Sequence, residues 1–139
     1  MKYFLKFAGK VFGFAAAAFI ALMILLYIFP INYTASMPFG IYMRLPAWNV
    51  KAGDLVELDN PLPAEESEAL GVYERRGLLK RVKSINDDGT YYVLGEHELS
   101  YDSRYFGNVD KELIRWRLVP VFTGTNLPEW LRADTDSEI

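Results

Sequence analysis

Nineteen consecutive residues, Val11 to Phe29 (VFGFAAAAFIALMILLYIF), contain no charged side chain. As a helix rising about 1.5 Å per residue they span about 28 Å, close to the hydrocarbon thickness of a bilayer. Lys2, Lys6 and Lys10 precede the run, and no basic residue follows until Arg44. Basic flanks stay on the cytoplasmic side of a membrane. The N-terminus is therefore expected in the cytoplasm and everything after Pro30 on the far side. A cleavable signal peptide is the competing reading. The run is longer than the usual apolar core of such a peptide, and a cut near Thr34–Ala35–Ser36 would sit beside Tyr33, a poor residue for that site. The expected organisation is a cytoplasmic N-terminus at 1–10, a transmembrane helix at 11–29, an extracytoplasmic domain at 30–133 and a polar tail at 134–139.

The formal charge is −3, and setting aside the three N-terminal lysines makes the remainder −6. An acidic domain argues against nucleic acid as a partner. With no Cys there is neither a disulfide nor a thiol nucleophile, and one His cannot build the common His/Cys zinc site. No metal and no cofactor are expected.

Beyond Pro30 the strand signals dominate. Leu55–Leu58 is a short apolar run closed by Asp59-Asn60-Pro61. Leu78–Ile85 is a second, followed by Asn86-Asp87-Asp88-Gly89, whose Asp-Gly pair marks a hairpin, and Tyr91–Leu94 is the returning strand. Ile114 to Phe122 alternates, with Ile114, Trp116, Leu118, Pro120 and Phe122 on one face and Arg115 and Arg117 on the other. Pro120 belongs at an edge or a strand end. Ala64 to Arg76 is the one helix-compatible stretch, and Asp134 to Ile139 reads as a disordered acidic tail. The expected fold is mainly β: one N-terminal transmembrane helix followed by a small antiparallel β domain.

Three stretches carry potential chemistry. In Asn32-Tyr33-Thr34-Ala35-Ser36-Met37-Pro38-Phe39-Gly40-Ile41-Tyr42, a serine among Ala, Met, Pro and Gly suits an exposed turn that a substrate can approach. Leu78-Leu79-Lys80-Arg81-Val82-Lys83 places a lysine in an apolar strand, where snorkelling is the ordinary outcome. Gly95-Glu96-His97-Glu98-Leu99-Ser100-Tyr101-Asp102-Ser103-Arg104-Tyr105-Phe106-Gly107 packs Ser, Asp, Ser and Arg closely, as in a turn held by side-chain hydrogen bonds and an Asp–Arg pair.

In this order, with Gly53-Asp54 between the first two and a membrane segment ahead, these elements resemble the type I signal peptidases, the serine proteases that use a Ser/Lys dyad. The likeness covers roughly Asn32 to Val109, and its opening Asn-x-Thr-x-Ser-Met-Pro-x-Gly-x-Tyr is most similar to the conjugative-transfer, pilin-processing branch. The resemblance implies a β domain of the signal peptidase type. It also implies a membrane-bound endopeptidase that removes signal or leader peptides from exported precursors. The substrate would be a pilin precursor of a conjugation or type IV secretion system, with cyclisation of the trimmed pilin as a variant outcome. The partners implied are that precursor and the lipid bilayer. The place implied is the bacterial inner membrane, single-pass, with the catalytic domain periplasmic. Carried over residue by residue, Ser36 matches the nucleophile and Lys80 the general base. Thr34 matches a helper of the oxyanion hole beside the Ser36 N–H. Ser100 matches the hydroxyl that orients the lysine, and Asp102 and Arg104 match a structural pair. Two departures are plain: Gly95-Glu96-His97 stands where the family commonly has Gly-Asp-Asn, and the segment from Lys80 to Asp102 is short.

The chemistry explains why such residues are needed. A serine hydroxyl is a weak nucleophile until a base takes its proton, and a lysine serves as that base only when desolvation leaves it neutral. Strand alternation puts Lys80 on one face with Leu78 and Val82, and Lys83 on the other with Leu79 and Arg81. Lys80 is thus the lysine expected to be desolvated. His97 is the alternative base, and a triad would have to use it. Tyr33, Phe39, Tyr42 and Trp48 suit either a membrane interface or a core. From another functional class, a non-catalytic membrane-anchored assembly or scaffold protein of a secretion complex would share everything except the need for Ser36 and Lys80.

Overall fold

The computed structural model describes residues 1–34, 36–69, 71 and 77–124. Helix α1 runs Lys2–Ile28, and within it Lys6–Ile28 is long and apolar enough to cross a membrane. It stops at Phe29, whose N–H still reaches the Leu25 carbonyl at 2.8 Å. Pro30 has no N–H to extend the ladder and forces the residue before it out of the helical region, which is why Phe29 adopts φ −115° and ψ 77°.

Six strands follow: β1 Ile31–Asn32, β2 Gly40–Pro46, β3 Leu55–Leu58, β4 Leu78–Ile85, β5 Tyr91–Leu94 and β6 Ile114–Thr123. They form one antiparallel sheet in the order β1-β2-β6-β3-β4-β5, curled into a half-barrel. An apolar helix followed by a small antiparallel β domain is therefore the architecture. The helix-compatible stretch yields α2, Ala64–Ala69, and a further short helix α3 spans Ser103–Phe106. The expected continuation of α2 over 70 and 72–76 falls largely outside the described residues, as does the tail at 134–139.

Register slips give the sheet its curl. Against β3, Leu58 faces Ile114 while Glu57 faces Trp116, so Arg115 is an extra residue on β6. Against β2, Ile41 faces Phe122 while Tyr42 faces Pro120, so Val121 is a second extra residue. Such bulges bend a strand and deepen its twist. They also correct the expected single face of β6. Ile114 joins the core of Val56, Leu58, Val82 and Val93, whereas Trp116 and Leu118 pack with Met37, Tyr42 and Leu55. Phe122 and Pro120, assigned to the same face by alternation, are exposed. Pro120 has β2 on one side, and β3 reaches only as far as Leu118 on the other, so its missing N–H breaks no ladder there.

Of the four aromatics considered for an interface, Tyr42 is a core residue, while Tyr33, Phe39 and Trp48 are exposed. Gly40, at φ +154°, opens β2. A Cβ there would run into the Phe122 carbonyl and the Thr123 backbone of β6. The glycine thus lets β2 close on β6 at the point where the Ser36 loop re-enters the sheet.

Candidate active site

The loop between β1 and β2 is shaped by one buried side chain. The Asn32 amide donates to three backbone carbonyls, Thr34 at 3.1 Å, Met37 at 2.9 Å and Pro38 at 3.2 Å. Its Oδ1 accepts from the Thr34 N–H at 3.2 Å and the Thr34 hydroxyl at 2.8 Å. An Asn that bonds the backbone two residues on makes a turn without any ladder. Tyr42 adds a second tie, its hydroxyl donating to the Pro38 carbonyl at 2.6 Å. Burial pushes that phenol up, and Glu96 adds to the effect, so Tyr42 stays a neutral donor.

Ser36 Oγ lies 3.0 Å from Thr34 Oγ1. The single Thr34 proton is committed to Asn32 Oδ1, which can only accept, so Ser36 is the donor in the Thr34–Ser36 bond. In this arrangement Thr34 orients the Ser36 hydroxyl as an acceptor. To donate to an oxyanion it must first release Asn32.

Lys80 lies on β4 opposite Val56 and is 3% exposed, on the buried face that it shares with Leu78 and Val82. Lys83, three residues on, is exposed, and the β4–β5 register slips between Val82 and Ser84, leaving it as the extra residue. The Lys80 Nζ donates to Ser100 Oγ at 3.1 Å. Burial among apolar groups disfavours an ammonium ion.

The turn after β5 connects the two parts. The Glu96 N–H donates to the Ser36 carbonyl at 2.7 Å, seating the Ser36 loop on this turn. Gly95 lies against Ser100, where a Cβ would overlap its side chain and come within 3.1 Å of the Ser36 carbonyl oxygen. Only a residue without a side chain lets these three segments meet.

Behind the turn is an anchored carboxylate. Asp102 is fully buried and accepts from the Gly95 N–H at 2.9 Å and the Arg104 N–H at 3.1 Å. The Arg104 guanidinium grips both of its oxygens, at 2.8 and 2.6 Å, and reaches the His97 carbonyl at 3.0 Å. Burial alone would raise the Asp102 carboxyl, but the bonds from Arg104 and Gly95 outweigh it and hold it below the usual carboxylate range. The same pairing pushes the Arg104 guanidinium further up. Ser103 Oγ accepts the Val93 N–H at 2.9 Å, fixing the end of β5.

A groove of about 440 Å³ opens over these residues, and Thr34, Ser36, Lys80, His97 and Ser100 all line it, with Ile31, Leu79 and Leu99 as apolar walls. Ser36, Lys80, Thr34 and Ser100 are thus brought together from three separate stretches. Asp102 and Arg104 do not line the groove; they brace its wall. His97 does line it, but its Nδ1 accepts the Leu99 N–H at 3.1 Å. The neutral ring then carries its proton on Nε2 and has no lone pair left to offer a serine. Among the described residues, no three His, Asp or Glu side chains converge as a metal set.

Asn32 and Gly95 are the residues that motif reading leaves without a role. Asn32 is legible in hindsight as an Asx turn, two residues before a threonine. Gly95 carries no signal of its own, because its φ is ordinary and its constraint is a contact with distant residues. The chain matches no family model, no characterised protein and no solved structure.

Proposed function

We propose that this chain is a membrane-anchored serine endopeptidase of the Ser/Lys type that trims the leader peptide from an exported precursor protein. The observation that carries the reading is a buried Lys80, hydrogen-bonded to Ser100, in the wall of the groove that also presents Ser36. The Ser36 hydroxyl turns its proton from Thr34 to neutral Lys80, which takes it as Oγ attacks the scissile carbonyl, and the tetrahedral oxyanion is held by the Ser36 N–H. Lys80 then gives that proton to the departing amine, the mature chain leaves, and the leader remains as an ester on Ser36. Water activated by Lys80 breaks the ester. Cyclisation needs a cut at the other end of the trimmed chain: that chain is then the ester on Ser36, and its own N-terminal amine, attacking in place of water, forms the ring-closing peptide bond and releases the Ser36 hydroxyl.

Helix α1 is the anchor in this reading, with three lysines on the cytoplasmic side and the β domain periplasmic. Ser36 follows Phe29 by seven residues, so it lies within about 25 Å of the membrane edge. Leader-peptide bonds emerge at that depth, which favours a membrane-tethered precursor over a free protein. The resemblance of the Ser36 stretch to the pilin-processing branch points to a pilin precursor of a conjugation or type IV secretion system.

Expression with candidate pilin and secretory precursors, followed by product masses, tests the reading. Cleavage by the wild type and none by Ser36→Ala is the expected result, and a product lighter than the trimmed chain by one water would mark cyclisation. No cleavage by either protein would leave the scaffold reading in its place, and equal cleavage by both would mean that Ser36 is not the nucleophile.

A further inference from the structure

Among the described residues, the side chains of Arg44 and Glu57 bracket helix α1 to the β domain; both line the far part of the groove, and the proposed chemistry does not use them. The Arg44 guanidinium, on β2, holds both oxygens of Glu57 on β3, with Nε to Oε2 at 2.7 Å and Nη2 to Oε1 at 2.8 Å. Its remaining nitrogen, Nη1, donates to the Tyr27 carbonyl in the last turn of α1 at 2.6 Å. The guanidinium also lies over the Tyr27 ring, 5.3 Å from its centre, and that ring meets Trp116 of β6 edge-on at 5.9 Å. Glu57 is buried, at 6% exposure, and faces Leu79, the residue before Lys80, across the β3–β4 ladder. The chain link itself is short, with Tyr42 donating to the Pro30 carbonyl at 3.0 Å, but a backbone link alone leaves the helix free to swing about Phe29.

We infer that Arg44 and Glu57 are a positioning pair that fixes the angle between the anchor helix and the sheet, and so the height and orientation of the groove above the bilayer; this rests on the endopeptidase reading. The argument is geometric. A planar fork of five donors satisfies two carboxylate oxygens and a helix C-terminal carbonyl at once, which a single ammonium cannot do. A cation at that end also meets the negative pole of the helix. The rest of α1 projects away from the domain without burial, so the bracket sits where small rotations become large displacements. A substrate held in the same membrane would feel that displacement, whereas a freely diffusing peptide would not.

The chain has no Cys, so labels placed by Leu22→Cys in α1 and Asp87→Cys in the β4–β5 turn are unique. Spin-label distances in nanodiscs then read the angle directly. The test variant is Arg44→Met/Glu57→Leu, which removes both charges and leaves no buried carboxylate unpaired. The wild type is expected to give one narrow distance distribution, and the double variant one roughly twofold broader, as for a released hinge. The ratio of bilayer-anchored to soluble-peptide cleavage is expected to fall about tenfold or more in the double variant, with Arg44→Lys intermediate in both readouts. An unchanged distribution, or a broadened one with an unchanged ratio, overturns the inference. If the wild type cleaves neither substrate, the endopeptidase reading fails, and the distance measurement still decides whether the pair holds the angle.

Discussion

Ser36 sits on a loop whose shape depends on one side chain, whereas Lys80 sits in a strand flanked by β3 and β5 and packed on an apolar core. Asn32 supplies the loop with donors for three carbonyls and an acceptor for Thr34. Lys80 needs no such organiser, since the ladder against Val56 and the period of the strand place it between Leu78 and Val82. The loop therefore depends most on Asn32, with Tyr42 and the Glu96 N–H as its further ties, whereas the strand is held along its length by its ladders. The turn after β5 is where the two regions meet.

Asn32→Leu should have the largest effect, because it strands the buried Met37 carbonyl and takes the partner from the Thr34 N–H and carbonyl, while the Pro38 carbonyl keeps its bond from Tyr42. A loss of about 3 kcal/mol is expected, at about 1–3 kcal/mol for each buried group left unpaired, with cleavage abolished. Denaturant unfolding beside a cleavage assay would check both. Gly95→Ala comes next, since its Cβ would overlap Ser100 and press on the Ser36 carbonyl. Overpacking of this kind costs about 1–3 kcal/mol. Cleavage should fall about 10²-fold as Ser36 and Lys80 are pushed apart. A well-folded, fully active Gly95→Ala protein would mean the two regions do not meet through this contact.

The Asp102 carboxyl gives a test in pH. Folding holds its pKa below the unfolded value, so its stabilisation is complete above the ordinary carboxylate range. That contribution is lost as pH falls from about 4 through the lower folded value. Asp102→Asn should lower the thermal midpoint at pH 7 and flatten its acid dependence, and an acid limb as steep as that of the wild type would contradict the assignment. Thr34→Val should cost less, about tenfold in turnover, because it removes the acceptor that orients the Ser36 hydroxyl and keeps the shape. Lys83→Met is the smallest, with turnover expected at the wild-type level, since Lys83 is exposed at a bulge on the other side of the strand period.

The same contrast explains what the sequence reveals. Apolar runs closed by turn residues place β3, β4 and β5 at the expected residues, and the uncharged run marks α1, because both are local patterns carried by consecutive residues. Strand β2 escapes such reading, since Gly40–Pro46 has no clean alternation and its long partner, β6, lies 70 (116 − 46) to 83 (123 − 40) positions further along the chain. Alternation also misplaces Ile114 relative to Trp116, because a single inserted residue reverses the face and leaves no mark in composition. Ser36, Lys80, Thr34 and Ser100 are legible through their motif neighbours. Gly95 and the Arg44–Glu57 bracket are not, as their constraints exist only once distant strands are side by side.

The central claim is that Lys80 makes Ser36 a nucleophile, and acylation reads it without knowledge of the natural substrate. The purified, membrane-inserted protein is exposed to a penem acylating probe across pH 6 to 10 and its peptides are mapped by mass spectrometry. An adduct on Ser36 alone is expected, forming faster as pH rises and then levelling off. It should be absent in Lys80→Arg, because a guanidinium stays protonated throughout this range and cannot accept the proton. An adduct on Ser103, or a Ser36 adduct that forms equally well in Lys80→Arg and disappears in His97→Ala, would contradict the account.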